Sequence, residues 1–264
     1  MNTSMDNLLE AVTHVATRMG AAALRNFRRG LDVREKDDGT PVTDADLDAE
    51  RAARRWIESH FPGDAVVGEE YGGNQAPKGR SWYIDPIDGT KSFVRGVPLW
   101  GSMAAVVENG QVIAGAVRFP ALGEIVAAAR GRGAHLGGVR CRVSDVARIE
   151  DALLLTTSAR ASGDPIPRER WRALTDRAGL VRTWGDCYGY LLVATGRAEV
   201  MYDPQLASWD AAAVAIIVEE AGGTFTDALG KSGIFGGSGL ATNAALADAV
   251  RDALTAGAGQ GAGR

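Results

Sequence analysis

Apolar residues recur at helical spacing over residues 7–29, where Leu8, Val12, Val15, Met19, Ala22, Ala23 and Phe27 share a face, and this predicts an amphipathic helix. DVREKDDGTPVT predicts a short strand, an Asp-Gly turn and a return strand. A second helix is expected over residues 45–60, with Thr43 or Asp44 as its N-cap and Phe61-Pro62-Gly63 as its stop. Ala65 to Gly68 reads as a short strand running into Glu69-Glu70, and YGGNQAPKGR as a loop. GSMAAVVENGQVIAGAVRF predicts a hairpin about Asn109-Gly110, and GEIVAAARGRGAHLGGVRC continues it as a meander with Gly-rich turns. From about Ile149 short strands alternate with helices: ALLLTTS, residues 167–178, LVRTW, 188–195, AEVMYD, 209–221, TFTD, GLATN and 244–256. The expected fold is mixed α/β. Residues 1–148 form an α+β half of two helices and an antiparallel sheet, and 149–256 an α/β half. Both belong to one compact unit, and 257–264 are a disordered tail.

Composition changes the functional picture more than the structural one. With 45% apolar and 23% charged residues among 264, the chain has ordinary globular composition and enough length for a substantial core. A net charge of −4 leaves no basic footprint, so nucleic acid is not an expected partner. No apolar run reaches the roughly 18 residues of a membrane span, and the N-terminus lacks a signal-peptide pattern. Cys141 and Cys187 fit neither a zinc pattern nor a disulfide framework. The expected location is the cytoplasm.

The chemistry gathers at acidic stations. In WYIDPIDGTKSF an apolar strand ends on Asp85, Pro86 stops it, and Asp88 precedes Gly89, which permits a tight turn. A helix opening at Thr90 points free N–H groups back at the aspartates, which makes an anion site. Carboxylates beside an anion site need a cation between them, and the hard, oxygen-seeking choice is a divalent ion such as magnesium. Glu69-Glu70 is a second station, Asp44, Asp46 and Asp48 a third, and Trp209-Asp210 opens an apolar helix ending at Gly222-Gly223. Each has a plain structural reading as well. An Asp-rich turn caps a helix, glutamates at a loop start are solvated, and Asp favours first turns. Glu219 and Glu220 close a helix where its dipole disfavours them, for no reason visible in the sequence. An EF-hand, a P-loop and a Gly-x-Ser-x-Gly nucleophile elbow are all excluded by spacing. His14 and His60 on helices, and His135 in a Gly-rich turn, are not catalytic candidates.

Gly68-Glu69-Glu70, DPIDGTKSF and WDAAA…EEAGG, in that order over nearly the whole chain, resemble the inositol monophosphatase superfamily of metal-dependent phosphatases. The resemblance implies a layered α/β/α/β/α sandwich, two or three magnesium ions per site, a small-molecule phosphate monoester as substrate, and a homodimer. By position it implies that Glu69, Asp85 and the Ile87 carbonyl bind one metal. Asp88 and Asp210 bind a second, with Asp85 bridging. Gly89 and Thr90 cradle the phosphate. Asp46 pairs with Thr90 to orient or deprotonate the attacking water, and Glu70 is matched without a clear direct role.

Substrate choice is expected from RTWGDCYGY. Superfamily members acting on inositol phosphates usually carry Gly-Ser or Gly-Thr followed by small residues after the arginine that Arg182 matches, whereas here Gly185 is followed by Asp186, Cys187 and Tyr188. This segment is similar to the histidinol-phosphate phosphatases of the superfamily. Carboxylates at Asp186 and Asp203 suit an ammonium or imidazolium, and an inositol ring has no positive charge to pair. The plain alternative for Asp186 is a helix N-cap, and Cys187 reads as a packing residue. The expectation is a magnesium-dependent histidinol-phosphatase. An inositol-1-phosphatase or broad sugar phosphatase of the same fold is the alternative, and an inactive metal- or anion-binding regulatory protein the distant one.

Overall fold

The computed structural model describes residues 4–29, 33–35, 41–75, 79–158 and 165–255. The expected Asp-Gly turn near residue 38 and the 257–264 tail lie outside them. Helix α1 (Met5–Leu24) begins at Ser4, whose Oγ accepts the Asn7 N–H, and it buries Leu8, Val12, Val15 and Met19. It ends before the expected Arg29 because the chain goes into turns, with Arg28 at φ 59°. Phe27 still reaches the core, 5.5 Å from both Phe93 and Trp100. Strands β1 (Val33–Glu35) and β2 (Pro41–Thr43) pair antiparallel and lead into α2 (Asp44–His60). Thr43 caps α2, and the Asp46 carboxylate accepts the Thr43 N–H at 2.8 Å, closing a capping box.

A seven-stranded sheet runs in sequence order: β3 (Ala65–Gly68), β4 (Arg80–Asp88), β5 (Gly101–Glu108), β6 (Gln111–Phe119), β7 (Glu124–Ala129), β8 (Gly133–Leu136) and β9 (Val139–Arg140). Asn109 and Gly110 both take positive φ, as a two-residue hairpin turn requires. His135 belongs to β8, paired with Ala127, rather than to a turn; the glycines around it bend the chain on either side. The short helix α3 (Thr90–Val94) follows β4. A five-stranded sheet has the order β11 (Leu180–Arg182), β10 (Leu153–Thr156), β12 (Val200–Asp203), β14 (Gly239–Thr242), β13 (Thr224–Thr226). Its helices are α4 (Arg168–Thr175), α5 (Asp186–Ala194), α6 (Ser208–Glu220) and α7 (Ala247–Thr255).

The layering follows from strand alternation, since successive side chains point to opposite faces. On β4, Trp82 and Ile84 join α1 and α2 in one apolar cluster, while Tyr83 faces α5 and α6 in another. In the smaller sheet Leu155, Met201 and Ala241 face α5 and α6, while Leu154, Val200 and Leu240 pack with Leu174 of α4 and Val250 of α7. The result is an α/β/α/β/α sandwich with the nearly all-apolar α5 and α6 in its middle layer, covered on both sides. The placement of Glu220 also becomes clear. Its carboxylate accepts the N–H groups of Gly131 and Gly133, each at 2.8 Å, and so holds the β7–β8 turn.

Two departures from a simple antiparallel meander position the site. First, β3 pairs parallel with β4, Gly68 opposite Ile84, so both strands end at the same edge and Glu69 emerges beside Asp85. Second, β4 does not stop at Pro86 but continues to Asp88 through a bulge: Asp85 faces Met103 and Asp88 faces Gly101, three steps against two. Residues three apart on a regular strand point to opposite faces, and the extra residue turns both carboxylates to the same side. Proline fits there because a bulge leaves a backbone N–H without a ladder partner. The freed Pro86 carbonyl instead accepts the Ser102 hydroxyl at 2.6 Å.

Candidate active site

Among the described residues, Asp85, Asp88 and Asp210 bring carboxylate oxygens within 4.8 Å of one another. Asp85 and Asp88 come from the β4 bulge. Asp210 comes from the first turn of α6, where it also accepts the Ala207 N–H. Glu69, from the end of β3, hydrogen-bonds Asp85. The turn after Asp88 is made by Gly89 at φ 83°, a conformation that suits glycine. The Ile87 N–H donates to Asp85 Oδ1 at 2.8 Å, and the Ile87 carbonyl accepts the Thr90 hydroxyl at 3.0 Å.

The electrostatics of this group are unfavourable as they stand. Burial, then the charges of Glu69, Asp210 and Asp88, push the Asp85 carboxyl far above the usual carboxylate range. Burial and the neighbouring Asp186 raise Asp88 to about 8. Burial, then Asp88 and Glu69, raise Asp210 well above normal. Two carboxylates in hydrogen-bond contact need a proton or a cation between them. Asp46 adds an independent observation: it is fully buried, its Oδ2 is occupied by Thr43, and its Oδ1 has no hydrogen-bond partner among the described residues. Burial lifts its carboxyl to about 6 against the opposing Thr43 hydrogen bonds. An all-oxygen, multiply anionic donor set with an orphaned acceptor beside it fits a hard divalent cation and its water. Asp44 and Asp48, the other members of the Asp46 cluster, instead pair with Arg34 and Arg51 at the surface.

A cleft of about 350 Å³ adjoins the cluster, lined by Asp88, Lys91, Asp186, Tyr190, Asp203 and Asp210 among others. Asp186 is not the N-cap of α5. Gly185 is, since its carbonyl accepts the first intrahelical hydrogen bond, from the Gly189 N–H, and Asp186 is the first helical residue; position 185 is glycine because a Cβ there would lie 2.2 Å from Thr157 Cα. Asp186 itself takes φ 51°, its N–H donating to Thr157 Oγ1 at 2.8 Å, and the next N–H, of Cys187, donates to Asp88 Oδ2. Burial raises the Asp186 carboxyl to about 6, opposed by Lys91. Asp203 is more enclosed, its oxygens accepting the Thr157 N–H at 3.3 Å and the Tyr190 hydroxyl at 3.0 Å; burial raises it to about 7. Arg182 stands apart from these residues. It is exposed on the edge strand β11, bonded to the Val181 carbonyl and placed over Trp184, and it does not line the cleft.

Sequence reasoning missed Glu50 and Arg54. Glu50 is fully buried and accepts the Glu70 N–H at 2.8 Å and the Tyr71 N–H at 3.1 Å, so it anchors the turn that carries Glu69 and Glu70. Arg54, one helical turn on, pairs with it at 2.8 Å. Gly68 has no side chain because a Cβ would lie 2.3 Å from Glu50 Oε1. The available signal was the i, i+4 Glu-Arg pair on the face of α2 that also carries Ala49 and Ala53. Lys91 and Thr157 were missed too, having no distinguishing local pattern.

Comparison with known proteins agrees with this geometry. The sequence profile of the inositol monophosphatase family matches residues 4–258. The histidinol-phosphatase of Mycobacterium tuberculosis is 45% identical over 262 residues, covering 96% of this chain and 100% of its own. That of Chlorobaculum parvum is 45% identical over 233 residues, 88% of this chain and 90% of its own. Among solved structures, the extragenic suppressor protein suhB of Bartonella henselae superposes with a TM-score of 0.86 at 28% identity, covering 95% of this chain and 99% of that one. The Thermotoga maritima IMPase gives 0.84 at 31% identity, over 94% and 96%.

Proposed function

The chain belongs to the inositol monophosphatase family, and from that premise we propose that it is a magnesium-dependent histidinol-phosphatase. The observation that carries the substrate is Asp186, a carboxylate in the cleft beside the acidic cluster of a chain 45% identical to two histidinol-phosphatases. Glu69, Asp85, the Ile87 carbonyl, Asp88 and Asp210 are the residues that would hold magnesium, two or three ions in all. Magnesium bound there supplies Lewis-acid polarisation of the phosphoryl oxygens and charge neutralisation at the leaving alkoxide. The chain's own groups do the rest. The Gly89–Thr90 turn receives the phosphate. Asp46 Oδ1, without a hydrogen-bond partner among the described residues, takes a proton from the attacking water, and the Thr90 hydroxyl orients that water after leaving the Ile87 carbonyl. Asp186 pairs with the positive charge of the substrate, and Asp203, tied to Thr157 and Tyr190, stiffens the wall behind it.

The reading includes one catalytic unit formed by both halves of the chain, a homodimer and a cytoplasmic location; light scattering of the purified protein checks the dimer. No helix among the described residues is long and apolar enough to cross a membrane. The function is tested by phosphate release from histidinol phosphate, inositol 1-phosphate and fructose 1,6-bisphosphate, with magnesium and with EDTA. Histidinol phosphate is expected to have the highest kcat/KM, and EDTA to stop all turnover. A preference for inositol 1-phosphate favours the sugar-phosphatase alternative, for which a 38% identical Thermotoga maritima fructose-1,6-bisphosphatase/inositol-1-monophosphatase stands as precedent.

A further inference from the structure

We infer that the cleft selects phosphate esters with an ammonium on the carbon next to the ester-bearing carbon, 2-aminoalkyl phosphates, and that Asp186 reads that ammonium. The inference rests on the functional reading above, which places the phosphate on the Gly89–Thr90 turn and a substrate cation at Asp186, and it adds which cationic group that is and how far from the ester it lies.

The geometry sets a length. A Cβ built on Gly89 would lie 3.0 Å from Asp186 Oδ2 and 3.2 Å from the Leu99 carbonyl. The Asp186 carboxylate therefore lies directly over the bare backbone of the phosphate turn. Its backbone is held on both sides, by the Thr157 hydroxyl on its own N–H and by Asp88 on the N–H that follows. A charge-assisted hydrogen bond from ammonium to carboxylate spans about 2.7–2.9 Å. Phosphate oxygens meet the backbone N–H groups of the same turn at a similar distance. Two substrate charges that straddle a single glycine are only a few ångströms apart, and each added methylene moves the cation outward by about one C–C bond, ~1.5 Å. An amine vicinal to the ester carbon meets this limit. In histidinol phosphate the amine is that group, and the imidazole lies one methylene further out. The ring is left to the cleft wall formed by Met103, Tyr190 and Leu206.

The test measures kcat/KM in magnesium for 2-aminoethyl phosphate, 3-aminopropyl phosphate, 2-hydroxyethyl phosphate, histidinol phosphate and its deamino analogue, 3-(imidazol-4-yl)propyl phosphate. The expected result is 2-aminoethyl phosphate about tenfold or more above its hydroxyl counterpart. 3-Aminopropyl phosphate falls back toward the neutral ester, and the deamino analogue loses a similar factor against histidinol phosphate. In Asp186→Asn, which tolerates the left-handed backbone, the amine-to-hydroxyl ratio collapses toward one. Because the ratio is taken within one protein, the amount of folded enzyme cancels. A deamino analogue as good as histidinol phosphate, or an amine-to-hydroxyl ratio unchanged by Asp186→Asn, overturns the inference while histidinol-phosphatase activity stands. Histidinol phosphate no better than inositol 1-phosphate overturns the functional reading instead, and a tenfold amine-to-hydroxyl ratio in that case still supports selection at Asp186.

Discussion

Glu50 and Asp85 are both withdrawn from solvent, one on α2 and one in β4, and their surroundings are opposite. Glu50 accepts two backbone N–H groups and an arginine, so its charge is matched within the chain. Asp85 accepts the Ile87 N–H, and its other close neighbours are the carboxylates Glu69, Asp88 and Asp210. Buried charge is stable where it is paired and costly where it is not. The first arrangement belongs to the scaffold. The second stores an imbalance that a bound divalent cation would remove.

Substitutions at the two sites should therefore differ in kind. Asp88→Asn removes a charge from the unbalanced cluster, and it is expected to lower kcat/KM by about 10³-fold or more, several kcal/mol of transition-state stabilisation. The melting temperature of the metal-free protein should hold or rise, because a buried carboxyl that must either take up a proton or repel its neighbours is replaced by a neutral amide. Near-normal turnover at saturating magnesium would sink the assignment of Asp88 as a ligand. Glu50→Gln breaks the balanced site and leaves Arg54 with its partner's charge gone. Breaking a buried pair costs about 3–5 kcal/mol, and the partial exposure of Arg54 puts the expected loss near the lower end, read by urea denaturation in EDTA. Magnesium should not close the gap to the native chain, since the loss lies in the scaffold under the turn that carries Glu69. An unchanged midpoint would remove the contrast.

Magnesium itself should separate the two sites without mutation. A ligand that binds only the folded state stabilises by about 2.7 kcal/mol at a hundred times its dissociation constant. Thermal unfolding of the native chain should shift upward with magnesium, that of Glu50→Gln should shift by a somewhat smaller increment from a lower start, because the turn that carries Glu69 has lost its anchor, and that of Asp88→Asn should shift much less. Equal shifts in all three would place the ion elsewhere.

How much of this was readable in the sequence varied with the range of the interaction. The helices, the Asn109-Gly110 hairpin and the alternation after Ile149 are local patterns, and the structure reproduces them within a few residues. Asp85, Asp88 and Asp210 were named from their motifs, and the chain brings them within 4.8 Å. What placed them together was not readable. The parallel pairing of β3 on β4 and the two-for-three register at Pro86 are long-range facts, and the proline was read as a stop because its local meaning is to end a ladder. The N-cap alternative for Asp186 failed because α5 begins one residue earlier, its first N–H bond accepted by the Gly185 carbonyl, and the glycine there answers to a distant residue. The space needed at Gly185 is set by Thr157, twenty-eight residues earlier (185 − 157). Glu220, unexplained in sequence, is explained by a turn of the other sheet.

The smallest effect concerns the backbone that carries Asp186. At φ 51° the residue lies in the left-handed region, which Asp, Asn and Gly tolerate and other side chains enter at roughly 1–2 kcal/mol. Asp186→Ala and Asp186→Gly both delete the carboxylate, and both relieve its repulsion of Asp88, so these contributions are common to the pair. They differ in the backbone, since Ala must be held in the strained conformation and Gly need not be. Glycine also loses more freedom on folding, by about 0.5–1 kcal/mol, which works in the opposite direction. The expected outcome of chemical denaturation in EDTA is Asp186→Gly equal to or up to about 1 kcal/mol more stable than Asp186→Ala, with the same loss of amine selectivity in both. A clear advantage for Ala would mean that the turn relaxes when the carboxylate is gone. In that case Asp186, rather than the Thr157 hydroxyl and Asp88, holds the start of α5 in place, and the residue that reads the substrate would also be building its own site.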